Sequence, residues 1–226
     1  MSQVWLFDID GTLIHSGGAG ETAAVRTVAS LFQVDETHGE THFAGRTDRA
    51  IMWDIFRFHQ IEQNEANWNR FQAAYVTELQ NQLQQRPGGV LPGVVQLVEA
   101  IQQQFARPIG LLTGNTEAAA WIKLKHFAID HLFHFGGFGD QHCDRNDVAQ
   151  SAMKNAARQL QQEVTPEQIW VVGDTPNDIR CARSIGANVI AVATGNFSFQ
   201  QLAEHQPDLV IHDLTDPAVH EVVTGD

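Results

Sequence analysis

Short, unbroken apolar runs alternate along this chain with longer stretches in which apolar residues recur every three or four positions. Val4-Trp5-Leu6-Phe7, Ile109-Gly110-Leu111-Leu112 and Ile169-Trp170-Val171-Val172 are such runs, and residues 189–193 form a fourth. Continuous rather than alternating apolar character marks strands buried on both faces. Between residues 21 and 32, Ala24, Val28, Leu31 and Phe32 fall at helical spacing, as do Ile51, Ile55 and Phe58 between 49 and 59. A longer helix rich in Gln, Asn and Ala is predicted over 63–84, and Arg86-Pro87-Gly88-Gly89 stops it. Residues 16–89 therefore read as helical throughout, without a strand. Further helices are predicted over 92–105, around 121–127, and over 147–162 and 179–185, with Leu209-Val210-Ile211 as an edge strand. This alternation implies an α/β fold whose parallel sheet is covered on both faces.

Three of the strands end in polar clusters. The first runs into Asp8-Ile9-Asp10-Gly11-Thr12-Leu13, the second into Thr113-Gly114-Asn115, and the third into Gly173-Asp174-Thr175-Pro176-Asn177-Asp178. Residues i and i+2 share one face of a strand, so Asp8 and Asp10 are expected to emerge together. Two carboxylates that close repel, and the pair persists only with a metal, a shared proton or a cation beside it. Turn chemistry accounts for one Asp before Gly11, but not for two behind a buried strand. In open α/β sheets the ligand crevice lies at the carboxyl ends of the strands, so the three clusters are predicted to converge.

Composition narrows the partners. A chain of 226 residues holds one large domain, or a core with a smaller insertion. The formal net charge of −13 argues against nucleic acid and anionic membranes. No run approaches the ~18 apolar residues of a membrane helix. An anionic substrate would meet a repulsive field, which directs attention to the few Lys and Arg beside the motifs. The opening residues carry no leader pattern, and Cys143 and Cys181 stand in no metal-ligand spacing, so a cytoplasmic location is expected. His131, His134 and His142 are close in sequence but match no zinc spacing.

Carboxylates converging from different strands make a hard oxygen site suited to Mg²⁺. Asp8 could then attack phosphorus to give an aspartyl-phosphate, and Asp10 could serve as general acid and base. Thr113 and the backbone of Gly114 and Asn115 could hold phosphoryl oxygens, and a lysine should complete the site. These motifs resemble those of the haloacid dehalogenase-like hydrolases. Asp8-Ile9-Asp10-Gly11-Thr12-Leu13 is similar to the family's first motif, Thr113-Gly114-Asn115 to its second, and Gly173-Asp174 to Asp178 to its fourth. The resemblance spans essentially the whole chain. It implies a Rossmann-like core made of residues 1–15 and 90–226, with 16–89 inserted as a helical cap. It also implies Asp8 as nucleophile, Asp10 as acid/base with its backbone carbonyl on the metal, and Asp174 as a direct ligand. Asp178 would act through water or by orienting the lysine.

The third motif departs from the family. Many relatives place its lysine in a Lys-Pro-x-Pro segment, which is absent here. Lys123 matches a lysine of a phosphoglycolate-phosphatase-like subgroup and is the first choice, with Arg145 the second. Gly45-Arg46-Thr47-Asp48 resembles the cap loop that faces the site in that subgroup. Arg46 could bind a substrate carboxylate or second anion there, while Thr47 or Asp48 could cap the next helix. His15 is a lesser site candidate, and Trp53, Phe56, Phe58, Trp68, Phe71 and Tyr75 read as cap packing. Asp10 argues against a dehalogenase, which does not need that acid. The alternatives are a phosphosugar mutase and a non-enzymatic phospho-acceptor or binding protein. The expectation is a Mg²⁺-dependent phosphomonoester hydrolase for a small phosphorylated metabolite, phosphoglycolate-like, acting as a monomer or homodimer.

Overall fold

The structure of the protein, a computed structural model, describes residues 3–224. Strand β1 (Val4–Phe7) leads into a short β2 (Ile14–His15), and helices α1 (Ala19–Phe32), α2 (Asp48–Phe58) and α3 (Glu65–Gln85) follow. The chain returns through β3 (Gly89–Val90) and α4 (Val94–Glu99) to β4 (Ile109–Leu112), α5 (Glu117–His126) and β5 (Gly136–Gly137). It continues with α6 (Arg145–Leu160), β6 (Ile169–Gly173), α7 (Pro176–Ser184), β7 (Asn188–Val192), α8 (Phe199–Ala203), β8 (Leu209–Ile211) and α9 (Pro217–Thr224).

Six strands form one parallel sheet in the order β5-β4-β1-β6-β7-β8. Successive side chains of β1 enter opposite cores. Trp5 and Phe7 pack with Leu97, Leu124 and Val219 on one face, and Val4 and Leu6 with Val148, Ala152 and Ile179 on the other. This is why the strand is apolar at every position. Phe7 lies opposite both Leu111 of β4 and Val172 of β6, so the loops after these three strands leave one edge side by side.

Helices α1, α2 and α3 share a third core, in which Phe56, Trp68, Phe71, Tyr75 and Leu79 close onto Ala119 of α5. Side-chain caps start the second and third of these helices. Thr47 accepts a hydrogen bond from Ala50 N and Asn64 from Asn67 N. No helix among the described residues is long and apolar enough to cross a membrane.

The structure differs from the sequence pattern in three places. Gly89 and Val90 pair antiparallel with His15 and Ile14, stitching the outgoing chain to the returning one beneath the helices. A two-residue strand is too short to leave a periodic trace. The helix predicted over 92–105 is α-helical only to Glu99 and widens into a π-helical stretch over Ala100–Gln104. Helices α8 and α9 were not predicted, being short and partly exposed.

Candidate active site

Asp8 follows the central strand, and the backbone turns sharply behind it. The amides of Leu13 and Ile14 both donate to the carbonyl of Ile9, at 2.9 and 3.0 Å. Glycine is required in this turn, because Gly11 has φ +84° and a Cβ there would stand 2.4 Å from Asp174 Oδ2. Asp8 and Asp10 both line the cavity above the sheet edge, yet each has its own cation. The Arg145 guanidinium lies 3.0 Å from Asp8 Oδ1 and also donates to Asp178 Oδ1. Lys123 Nζ donates to Asp10 Oδ2 and to Asn115 Oδ1, both at 2.6 Å.

The remaining motif residues hold these groups in place. Asn115 Nδ2 donates to Asp10 Oδ2 at 2.9 Å and to Thr113 Oγ1 at 2.8 Å. Asn115 therefore ties the loop after β4 to the acid at the end of β1. At the end of β6, Thr175 donates to Asp178 Oδ2 through its amide at 2.9 Å and its hydroxyl at 2.7 Å. With Pro176 at the first helical position, this is a capping box that starts α7 and aims the other Asp178 oxygen at Arg145. Thr12 donates to Asp174 Oδ1 at 3.2 Å.

Electrostatics distinguish the two halves of the site. Asp8, Asp174 and Asp178 are buried, and each offers an oxygen within 4.8 Å of the others. One guanidinium faces three carboxylates, which leaves two negative charges uncompensated. Burial pushes Asp8 up to about 6 in spite of Arg145, and Asp178 and Asp10 add to the rise. Burial, then Asp178 and Asp8, raise Asp174 well above the usual carboxylate range. Burial acts upward on Asp10 too, but the Lys123 ammonium and the hydrogen bonds from Lys123, Asn115 and Ser16 hold it below its ordinary value. All-oxygen donors, close spacing and an excess of two negative charges fit a hard divalent cation.

Above these groups is a cavity of about 430 Å³, floored by the strand ends and roofed by α1, α2 and α3. The roof touches the floor through the loop before α2. Asp48 N donates to Gly114 O at 2.7 Å, and Asp48 Oδ2 accepts from Thr116 N at 2.8 Å. Gly114 must lack a side chain here, since a Cβ would stand 1.9 Å from the Arg46 carbonyl oxygen. Thr47, not Asp48, caps α2. Arg46 lines the cavity, but its guanidinium pairs with Asp54 at 2.7 Å and donates to the carbonyls of His42 and Ala50. His15 also lines the cavity and is exposed.

The structure thus gathers Asp8, Asp10, Thr113, Gly114, Asn115, Lys123, Arg145 and Asp174 around one cavity, with Asp178 directly behind Arg145. Two contributors carry no mark as site residues in the sequence reading, Tyr75 and the loop Thr194-Gly195-Asn196, while Asp48 is expected at the site only as part of its loop. That loop follows β7, so the rule that flagged the other strand ends could have found it. Tyr75 carries no such signal, because helix packing alone brings it to the cavity.

Such a layout, with buried acids from β1 and β6 beside the loop after β4, defines an α/β enzyme with its chemistry at the carboxyl edge of the sheet. The chain belongs to the haloacid dehalogenase-like hydrolases, whose family model matches residues 3–186. It is 26% identical over 220 residues to a phosphoglycolate phosphatase from Mannheimia succiniciproducens, covering 93% of this chain and 94% of that protein. Among solved structures, CbbY from Rhodobacter sphaeroides in complex with phosphate aligns over 96% of both chains with TM-score 0.74 and 18% identity. A predicted phosphoglycolate phosphatase from Haemophilus somnus aligns over 97% of both chains with TM-score 0.71 and 20% identity. Family and curated relative together make the protein a hydrolase of phosphatase type.

Proposed function

We propose that the protein hydrolyses a small phosphomonoester with Mg²⁺, through an aspartyl-phosphate on Asp8. The observation that supports this best is the placing of Asp8: buried at the cavity floor, held by Arg145, and within metal-ligand distance of Asp174 and Asp178. Asp8, Asp174 and the backbone carbonyl of Asp10 would hold the cation, with Asp178 behind them. Bound there, Mg²⁺ neutralises the excess negative charge of the cluster and of the phosphoryl group.

In this reading Asp8 Oδ attacks phosphorus while Asp10, ionised beside Lys123 in the resting site and taking up a proton when substrate binds, protonates the departing alkoxide. Asp10 then takes a proton from water as the water attacks the phosphoenzyme, releasing phosphate and restoring Asp8. Lys123 and Asn115 fix Asp10 in position for both transfers. Arg145 orients Asp8 and offsets the repulsion between its carboxylate and the incoming dianion. Thr113 and the Gly114 backbone line the cavity where phosphoryl oxygens would lie. Residues 16–89 act as a cap over a core of 1–15 and 90–226, keeping bulk water from the phosphoenzyme.

Phosphoglycolate is the substrate suggested by the Mannheimia relative's name, and Arg46 would meet its carboxylate only by leaving Asp54. The test is phosphate release from a panel of small phosphomonoesters with Mg²⁺ and with a chelator. Release that requires the metal supports the reading; equal release with the chelator contradicts it.

A further inference from the structure

The cavity described above must admit the alcohol part of the substrate as well as its phosphate, and the roof decides which alcohols fit. Its cations are already engaged. Lys123 is bound to Asp10 and Asn115, Arg145 to Asp8 and Asp178, and Arg46 to Asp54 and two carbonyls. His15 Nδ1 accepts from Gly17 N at 3.3 Å, so that nitrogen is engaged within its own loop. Facing the same space are an acceptor, the Asp48 carboxylate, and a hydroxyl, that of Tyr75, which can donate or accept. Asp48 has only one oxygen occupied, by Thr116 N, and Oδ1 has no hydrogen-bond partner among the described residues. Tyr75 is 3% exposed, lines the cavity, and its hydroxyl likewise has no hydrogen-bond partner among the described residues. At the rim, Glu21 stands 3.5 Å from His38. Ile51, Met52 and Phe71 complete the wall with apolar surface.

We infer that the substrate's alcohol part carries hydrogen-bond donors, hydroxyl or ammonium, and no second anionic group, with Asp48 and Tyr75 as the residues that select it. The inference rests on the phosphomonoester reading and departs from the substrate that the Mannheimia relative's name suggests. A carboxylate or second phosphate in this space would face the Asp48 carboxylate without a free cation to offset the repulsion. A hydroxyl or ammonium instead satisfies Asp48 Oδ1, and either can also donate to the Tyr75 oxygen. The discrimination works by penalising the wrong ligand as much as by holding the right one.

The experiment compares kcat/KM, with Mg²⁺, for glycerol 3-phosphate, phosphoethanolamine, phosphoglycolate and fructose 1,6-bisphosphate. The better of the first two is expected to exceed both anionic compounds by about tenfold or more, the scale of one misplaced charge or unpaired polar group. Phosphoglycolate or the bisphosphate as the best substrate would overturn the inference. Asp48→Asn should narrow the gap by favouring the anionic compounds; an unchanged gap would remove Asp48 from the selecting role. Tyr75→Phe should lower kcat/KM for both glycerol 3-phosphate and phosphoethanolamine; no change for either would remove Tyr75 from the selecting role. Calorimetric binding of the four compounds to Asp8→Asn reads recognition without turnover. Binding in the expected order, with no phosphate released from any of the four by the unsubstituted protein, would refute the hydrolase reading and keep this inference. Turnover that favours the anionic compounds would do the reverse.

Discussion

The floor and roof of the cavity are built from different material. The floor consists of strand ends and tight turns, where Asp8 is held by Arg145 and Asp10 by Lys123. The roof is three helices around an aromatic core, and it lends the cavity few polar groups, chiefly Asp48, Tyr75 and the tethered Arg46. Sheet register fixes the floor, because Phe7 lies level with Leu111 and Val172 and the three polar loops must meet. Helix packing fixes the roof, and it holds a wall without dictating which residues make it polar. Chemistry therefore belongs to the floor and selection to the roof.

The largest effect that would break this division is on the floor. Asp10→Asn is expected to lower kcat by the ~10² to 10⁴ that general acid–base help contributes. The variant also leaves the buried Lys123 ammonium without its counter-charge, so a fall in the thermal midpoint should accompany the loss. A kcat within a few-fold of the parent would remove Asp10 from the proton transfers.

The two cations sharpen the comparison within the floor. Arg145→Ala leaves three buried carboxylates without their counter-charge and should cost about 3–5 kcal/mol in denaturant unfolding. Added Mg²⁺ should recover part of that loss by binding the folded cluster. Lys123→Ala should cost less, because the Asp10 side chain is 39% exposed and water can solvate it. Equal costs, or no response of Arg145→Ala to Mg²⁺, would contradict the separate roles of the two cations.

The smallest effect lies in the roof. Burial lifts Asp48 to about 6 from an ordinary 3.8, with Lys123 opposing the rise and Asp10 and Asp140 adding to it. A carboxyl that binds its proton more tightly when folded weakens the fold once ionised, so this cost is absent below about pH 4 and grows as pH rises toward 6. Asp48→Asn should therefore stabilise the protein at pH 7 by on the order of 1–3 kcal/mol, with the gain fading near pH 4. A variant equally stable at both pH values would mean that Asp48 carries no such penalty.

The sequence made most of the floor legible and little of the roof. Continuous apolar runs ending in Asp8, Thr113 and Asp174 located the converging edge, since strand burial and strand-end chemistry both leave local traces. Distinguishing Arg145 from Lys123 was beyond it. Both sit on helices near the second and fourth motifs, and only the packing of α5 and α6 shows that one reaches Asp10 and the other Asp8. Arg46 was legible as a loop arginine beside the site, but its pairing with Asp54, eight positions on in α2, follows from the local turn of that helix. Tyr75 read as packing and does pack, stacking on Phe71 at 5.1 Å; that its hydroxyl end also meets the cavity depends on the tilt of α3, which periodicity does not encode.

The central claim is that Asp8 carries the phosphoryl group. Rapid quenching of the enzyme during turnover of a hydrolysed phosphomonoester with Mg²⁺, followed by peptide mass analysis, tests it directly. The account predicts one added phosphoryl group on the peptide containing Asp8, absent in Asp8→Asn, which should also lose on the order of 10⁴-fold or more in turnover. Full turnover by Asp8→Asn, or a phosphoryl group on another residue, would contradict it.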